Sequence, residues 1–463
     1  MIGKISPTRQ LNFFETPLVN FINMEHELVR LAQKIDWKEL EEELGTYFSE
    51  NGRPAVPIRK MVGMLLLKNL YNLSDERVVE RWVENPYYQY FTGEVVFQTR
   101  YPFDPSDFVH FRKRVGKEGA EKILSLSVRI NGNESLKVKR VMVDTTVQEK
   151  NITFPTDAKL YKKVVTRCKK IASKEGITLR RSYTRELKTL SLSLRFMNHP
   201  KRKKEARKAQ RRLRTIAKAL VNELARKMTS EQRHAHKNML MLMCRVVLQE
   251  RNDKNKVYSL HEPSVACISK GKEAKPYEFG NKSSIAKTNT GIIVGAMAFE
   301  GNPYDGHTLP DQIEQIKRLT GIRPKSVCVD RGYRGQKEID GTKIEIPTNG
   351  AKNQSYYKKQ KERKKFRQRA GIEPVIGHLK SDHRMIRNYL KGPVGDGINT
   401  MLAAAAYNLR HWIIKYKREI LLALLQIIQD ISSLFSIFSE PHGCVLLQPI
   451  LGNDENGGFI RVD

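Results

Sequence analysis

The chain lacks what a disulfide framework or a zinc finger requires. Its five cysteines (Cys168, Cys244, Cys267, Cys328 and Cys444) are odd in number, lie far apart and form no C-x-x-C pair. That argues against both scaffolds and fits a reducing compartment. A long uninterrupted apolar run is missing as well. The N-terminal stretch MIGKISPTRQLNFFETPL has no continuous apolar segment of the kind a signal peptide carries. Ile420 to Phe438 is apolar but broken by Gln426, Gln429 and Asp430, which favours an amphipathic or packed helix over a membrane span. No membrane partner is expected, and the chain reads as cytoplasmic.

The third shortage is acidic charge. Fifty Asp and Glu face 83 Lys and Arg, a formal net charge of +33, with a pI near 9.9. A solvated surface normally mixes the two signs, so this excess needs a polyanionic partner. Nucleic acid suits best, because neutralising phosphates releases condensed counterions. Anionic membrane suits less well, since the cations are spread along the chain and not gathered in one cluster. With 463 residues, 40% of them hydrophobic, the chain has enough material for two or three packed units.

Residues 1–135 read as an all-helical N-terminal domain. Val56 to Leu70 has apolar residues at helical spacing, Ser74 is a good N-cap for a second helix, and a third helix over Ser106 to Val115 carries Arg112, Lys113 and Arg114. The pattern fits both a helix-turn-helix that reads bases and a small bundle with a solvated basic face. Either suits a DNA-binding front end, with Arg112 and Lys113 as candidate contacts.

From residue 136 to about 415 the pattern turns to strands. Val138 to Asp144, Val265 to Lys270, Tyr277 to Ala286, Gly291 to Phe299, Ser326 to Asp330 and Lys343 to Pro347 are short and rich in β-branched residues, and a helix is expected over Thr308 to Leu319. The order predicts an α/β domain, a mixed sheet flanked by helices. A basic helical insertion, residues 158–250, interrupts it. In Pro200 to Lys227 only Glu205 and Glu223 are acidic, while Leu213, Ile216, Ala217, Leu220 and Leu224 share one face. Such a helix packs on one side and offers its cations, Arg211 and Arg212 among them, to phosphate. Residues 416–463 are expected to be a C-terminal helical tail.

Three acids stand where a metal site would need them. Asp144 and Asp330 each end a β-branched run, and the carboxyl ends of strands in an open sheet border its functional crevice. Either one alone reads equally well as a turn cap. The third lies in a helical pattern: Phe366, Arg369, Glu373 and Lys380 fall within about 60° of one another at 100° per residue. Pro374 places a helix start near Glu373, which would take Phe366 and Arg369 off that face.

These residues carry a resemblance. Phe366-x2-Arg369-x3-Glu373-x6-Lys380 resembles the Y-x2-R-x3-E-x6-K signature of insertion-sequence DDE transposases, particularly the families numbered four and five, with phenylalanine replacing tyrosine. Asp330-Arg-Gly-Tyr333 resembles the D-x-G-[YF] motif around the second acid, and Val143-Asp144-Thr145-Thr146 the opening motif around the first. Pro276 to Asn281, Gly301 to Thr308 and Ala403 to Leu409 are similar to family five. Only about forty residues separate Asp330 from Glu373, too few for the insertion that family four carries there.

The resemblance implies an RNase H-like fold, with Asp144, Asp330 and Glu373 as catalytic metal ligands. Arg369 and Lys380 would be phosphate contacts, and Tyr333 a residue near the DNA. If the missing tyrosine hydroxyl matters, Tyr356 or Tyr357 would have to supply it. Two Mg²⁺ ions, with Mn²⁺ as substitute, would clamp the attacking and leaving oxygens. The partners implied are terminal inverted repeats and target DNA, with a homodimer to hold two ends, in a bacterial or archaeal cell on the nucleoid. His234, His236 and Cys244 fit no standard zinc spacing. His261, Glu262, His307 and His378 read either as cleft-lining groups or as satisfied polar residues, and Met239 to Met243 as core.

Overall fold

The computed structural model describes Gly3 and residues 16–438, except 50–54, 133–136, 270, 272, 274 and 348–354. The side chains of 433–438 lie outside that description, as do residues 439–463, where much of the expected tail falls. The chain divides into two compact units, Met1–Ile413 and Ile414–Asp463.

The first unit opens with six helices: α1 (Glu27–Lys34), α2 (Trp37–Gly45), α3 (Ile58–Leu70), α4 (Asp75–Glu84), α5 (Pro86–Phe91) and α6 (Asp107–Ile130). As the sequence predicts, the Ser74 hydroxyl caps α4 by accepting from the Arg77 amide, with Asp75 and Glu76 in the first turn. The third predicted helix runs well past Val115, because the chain kinks at Gly116 (φ 61°) and continues to Ile130. These helices share one apolar core with residues much later in the chain: Leu65, Trp82 and Phe108 belong with Ile398, Leu402 and Leu409.

The sheet has eight strands: β1 (Arg140–Lys150), β2 (Ala266–Ser269), β3 (Tyr277–Thr288), β4 (Ile293–Phe299), β5 (Ser326–Cys328), β6 (Glu338–Ile339), β7 (Thr342–Glu345) and β8 (Arg387–Asn388). Its order is β2-β3-β1-β5-β7-β6, with β4 on β3 and β8 on β1. β3 is antiparallel to β1 and β4, whereas β5 is parallel to β1 and to β7. The sheet is therefore mixed, as the alternation of patterns predicts.

β1 does not stop at Asp144. It continues to Lys150 because Thr145, Thr146 and Val147 sustain the β-branched run against β3, from Val141 opposite Thr288 to Glu149 opposite Gly280. The period of two then sorts its side chains. Val141 and Val143 pack with Leu309, Ile313 and Ile316 of α12 (Leu309–Thr320), whereas Met142 packs with Cys328 and Ile372 on the other face. Asp144 shares the parity of Met142, and Asp330 that of Cys328.

Between β1 and β2 the chain leaves the sheet for α7 (Asp157–Lys174), α8 (Thr184–Ser193), α9 (Lys203–Lys227), α10 (Ser230–Ala235) and α11 (Lys237–Leu248). This block has its own core, in which Leu160, Val164 and Cys168 meet Leu213, Leu220 and Met243. After β7 come α13 (Tyr356–Ala370) and α14 (Ile372–Ser381), then α15 (Gly392–Phe438), which begins in the first unit. In the second unit the described helix exposes Leu421, Leu424 and Ile428. No described helix is long and apolar enough to cross a membrane.

Candidate active site

β5 ends at Cys328, opposite Met142. Two more residues carry the chain to Asp330, alongside Asp144 on the central strand and on the same face. Asp330 then opens a tight turn, its Oδ1 accepting from the Gly332 amide at 2.8 Å. The glycine of the D-R-G-Y motif sits in a tight space there. A Cβ on Gly332 would stand 3.0 Å from a carboxylate oxygen of Asp330 and 3.0 Å from one of Asp305.

The third acid arrives on a broken helix. The chain is helical on both sides of Gly371, so the start forced by Pro374 and the continuous face carrying Arg369 are both partly right. α14 begins at Ile372 with Pro374 in its first turn, where its missing amide costs no hydrogen bond, while α13 ends at Ala370. Arg369 and Glu373 still meet across the break, Nη1 donating to Oε1 at 2.7 Å.

Arg369 joins all three acids. Its Nη2 lies 3.3 Å from Asp144 Oδ2 and 3.4 Å from Asp330 Oδ2, so one guanidinium spans Asp144, Asp330 and Glu373. Its Nε is buried without a hydrogen-bond partner. Asp144 is the most enclosed of the three acids. Burial pushes its carboxyl up to about 6, against the pull of Arg369 and with Asp330 adding to the rise. Glu373 is open to solvent.

Among the described residues no three His, Cys, Asp or Glu side chains already stand at metal-closing spacing. A guanidinium sits where their oxygens meet, so the site already accommodates positive charge at that point. Hard carboxylate oxygens of this kind suit Mg²⁺ or Mn²⁺.

Asp305 is a fourth carboxylate that the sequence did not single out. It accepts from the Thr145 hydroxyl at 2.7 Å and pairs with Lys282 at 2.8 Å, bracing β1 and β3 beside the acids. Its one signal was its place in the Gly301-to-Thr308 stretch that carries the family resemblance.

Two of the expected DNA contacts, Tyr333 and Arg112, are buried. Tyr333 is only 1% exposed, so it cannot meet DNA from this position. Burial, with Asp144, Asp305 and Asp330 nearby, holds its phenol far above the usual range. Arg112 is also buried, forking onto Asp75 at 3.0 and 2.6 Å, because Asp75 needs countercharge inside the helical core. Lys113 and Arg211 are exposed, Arg212 pairs with Glu186 at 2.6 Å, and Lys380 is half-buried on α14.

Phe366 is half exposed and, with Val329, Pro347 and Arg369, borders a pocket at Asp330. Tyr356 and Tyr357 lie exposed at the start of α13, ten and nine positions before it.

The remaining candidates make their bonds to groups other than the three acids. Glu262 is buried against Lys150 at 3.3 Å, His378 bonds Asp382, His307 stacks edge-on with Tyr304, and His261 bonds Ser259. His236 pairs with Glu175, away from Cys244. Within Met239 to Met243, Met243 is core but Met241 is exposed.

Two family models match parts of the chain, one of them covering Asp330, Arg369 and Glu373 but not Asp144. Residues 256–409 match the one described as "Transposase DDE domain", and residues 17–114 the one described as "Transposase domain (DUF772)". The chain belongs to the insertion-sequence DDE transposases, enzymes of DNA cleavage and strand transfer whose members usually work with divalent metal ions. It is also similar to "Uncharacterized protein ORF8 in nfe locus" of Rhizobium meliloti, at 45% identity over 194 residues, which cover 41% of this chain and 93% of that protein. No solved structure matches.

Proposed function

We propose that the chain binds the terminal inverted repeats of an insertion sequence and cuts and rejoins DNA there, with Asp144, Asp330 and Glu373 holding two Mg²⁺ ions. The observation that carries this reading is the single guanidinium of Arg369 spanning three carboxylates from a central strand, its parallel neighbour and a covering helix. Three negative groups brought that close repel one another and require a cation.

When bound, the metal pair would activate the attacking oxygen and stabilise charge on the leaving one. The chain's own part is to hold the three carboxylates on one face, to brace Asp144 through Thr145 and Asp305, and to seat Asp330 by the Gly332 amide. With the metal pair bound, Arg369 would turn from the acids to the phosphate beside the cut, with Lys380 eleven residues further along the chain. Water would first release a DNA 3′-hydroxyl, which then attacks a target phosphodiester at the same place.

The strand sequence β4-β3-β1-β5-β7, antiparallel and then parallel, supports an RNase H-like reading for residues 136–415. The insertion after β1, with little between Asp330 and Glu373, supports kinship with family five. On this reading the helices of residues 1–135 bind DNA, residues 416–463 are a tail, and a homodimer holds two ends on the nucleoid.

Incubating the protein with its element's ends and Mg²⁺ tests the proposal. Cleavage with joining to a new target is expected, and fragments released without joining would mark a nuclease instead. Full strand-cleavage activity in Glu373→Ala would sink the metal assignment.

A further inference from the structure

The sequence points to α9 as the phosphate-facing helix of the insertion. The geometry points to α7 instead: we infer that one face of α7 is a docking groove for the backbone of duplex DNA flanking the cut. This rests on the reading of the chain as a DNA-cutting enzyme and names a contact surface for its substrate.

Lys159, Lys162, Lys163, Thr166, Arg167 and Lys170 recur at i, i+3, i+4, i+7, i+8 and i+11, so they form one stripe along the helix. The opposite face, with Leu160, Val164, Val165 and Cys168, is buried against α9 and α11. All six stripe residues are exposed except Lys163, which is half-buried.

Like charges at this spacing repel, and a helix surface normally intersperses acids to offset them. Here the described residues offer none within salt-bridge distance of the five cations. Lys159 donates to the Phe154 carbonyl, Lys162 to the Ser191 hydroxyl and Lys163 to the Thr153 hydroxyl, all neutral oxygens. On α9, Arg212 and Lys227 pair with Glu186 and Glu223, but Lys203, Lys204, Arg207 and Lys208 are exposed with no acid within salt-bridge distance among the described residues, so it is the shape of the surface that separates the two helices.

The stripe is also concave. It borders a cavity of about 520 Å³ that Thr153, Met239, Leu260 and His261 complete. A cleft lined by one sign of charge over a partly apolar floor focuses the field on an anion.

Its length and place suit a duplex. Eleven residues of helix run about 16 Å, roughly half a turn of B-DNA. The groove opens beyond the end of β1, and Lys150 lies about 20 Å along that strand from Asp144. That is too far for the phosphate being cut, and right for base pairs to one side of it.

The test uses the full-length chain and a fluorescent duplex of about 30 base pairs of arbitrary sequence, about three helical turns. Lys159, Lys162, Arg167 and Lys170 are all changed to Gln, a good helix former, and circular dichroism checks that helix content is kept. Affinity near physiological salt should fall at least about 10-fold, and the slope of log affinity against log salt should shrink by about 3 to 4.

The matched change of Lys203, Lys204, Arg207 and Lys208 on α9 should do clearly less. DNA should shield Lys159, Lys162 and Lys170 from amine-modifying reagent while Lys203 and Lys204 stay reactive. Asp330→Asn should add to the α7 effect independently, as separate sites do.

Equal losses from the two sets, or unshielded α7 lysines, would overturn the groove. If the unaltered protein bound no duplex at any salt, the reading of the enzyme itself would fall, which is a different failure.

Discussion

At the scale of single residues, Arg369 decides how the site behaves without metal. It is the common partner of three acids, yet its own Nε is left unpaired in a buried position. A cation with more and better-placed charge should displace it. Arg369→Gln should therefore lower metal-free stability by about 1–3 kcal/mol, less than a fully buried pair would cost because Glu373 is open to solvent. It should also enlarge the thermal stabilisation that Mg²⁺ gives over EDTA. Equal Mg²⁺ shifts in both proteins would show that the guanidinium does not compete for the place. Glu373→Gln should reduce strand cleavage by orders of magnitude, since the carboxylates act as a unit, and should weaken Mn²⁺ binding measured by calorimetry. The three acids were legible from motif and spacing. The inward turn of Arg369 was not, because a pattern of residue types does not say which way a long side chain points.

At the scale of elements, what was legible followed from periodicity, and what was hidden followed from tertiary contact. The mixed sheet, the cap at Ser74 and the helical insertion could all be read. The extension of β1 past Asp144 depended on β3 as a partner, and the break at Gly371 reconciled two readings of Pro374 that the sequence left open. Arg112 looked like a surface cation beside Lys113, yet the packing of α6 on α3 and α4 turned it inward onto Asp75. Burial alone would raise the Asp75 carboxyl, but Arg112 and Lys68 together hold it near 2. Against the usual 3.8, that contribution is complete above about pH 4 and is lost as the pH falls toward 2. Asp75→Asn should cost about 3–5 kcal/mol near neutrality by stranding two buried cations. It should also flatten the acid limb of a stability–pH curve followed by urea unfolding. An unchanged limb would mean that another carboxylate governs it.

At the scale of the molecule, one buried polar cluster ties the end of β1 to distant chain. Lys150 lies 2.9 Å from Asp396 and 3.3 Å from Glu262, and Asn281 and Asn388 donate to the same Asp396 carboxylate. Lys150→Met would leave two carboxylates enclosed without their cation, at a cost of about 3–5 kcal/mol in urea unfolding. A loss below 1 kcal/mol would show that water or rearrangement satisfies them. The same pattern gives two of the family-like stretches a structural role away from the three acids. Asn281 feeds this cluster, and Asn408 bonds both the amide and the carbonyl of Ile293, joining α15 to β4.

The insertion leaves the sheet after a strand whose Glu149 lies opposite Gly280, and the chain returns at Ala266, opposite the same Gly280. Its two stalks are therefore only about 10 Å apart, one strand's width on either side. A block with its own core, held by neighbouring stalks, resembles a graft on a rootstock. A short linker could close the sheet beneath it, because bringing such near ends together costs little chain entropy. On the proposed reading, the insertion could be lengthened, shortened or recharged without disturbing Asp144, Asp330 or Glu373. Reach along DNA and the chemistry proposed for breaking it would then be separately heritable traits.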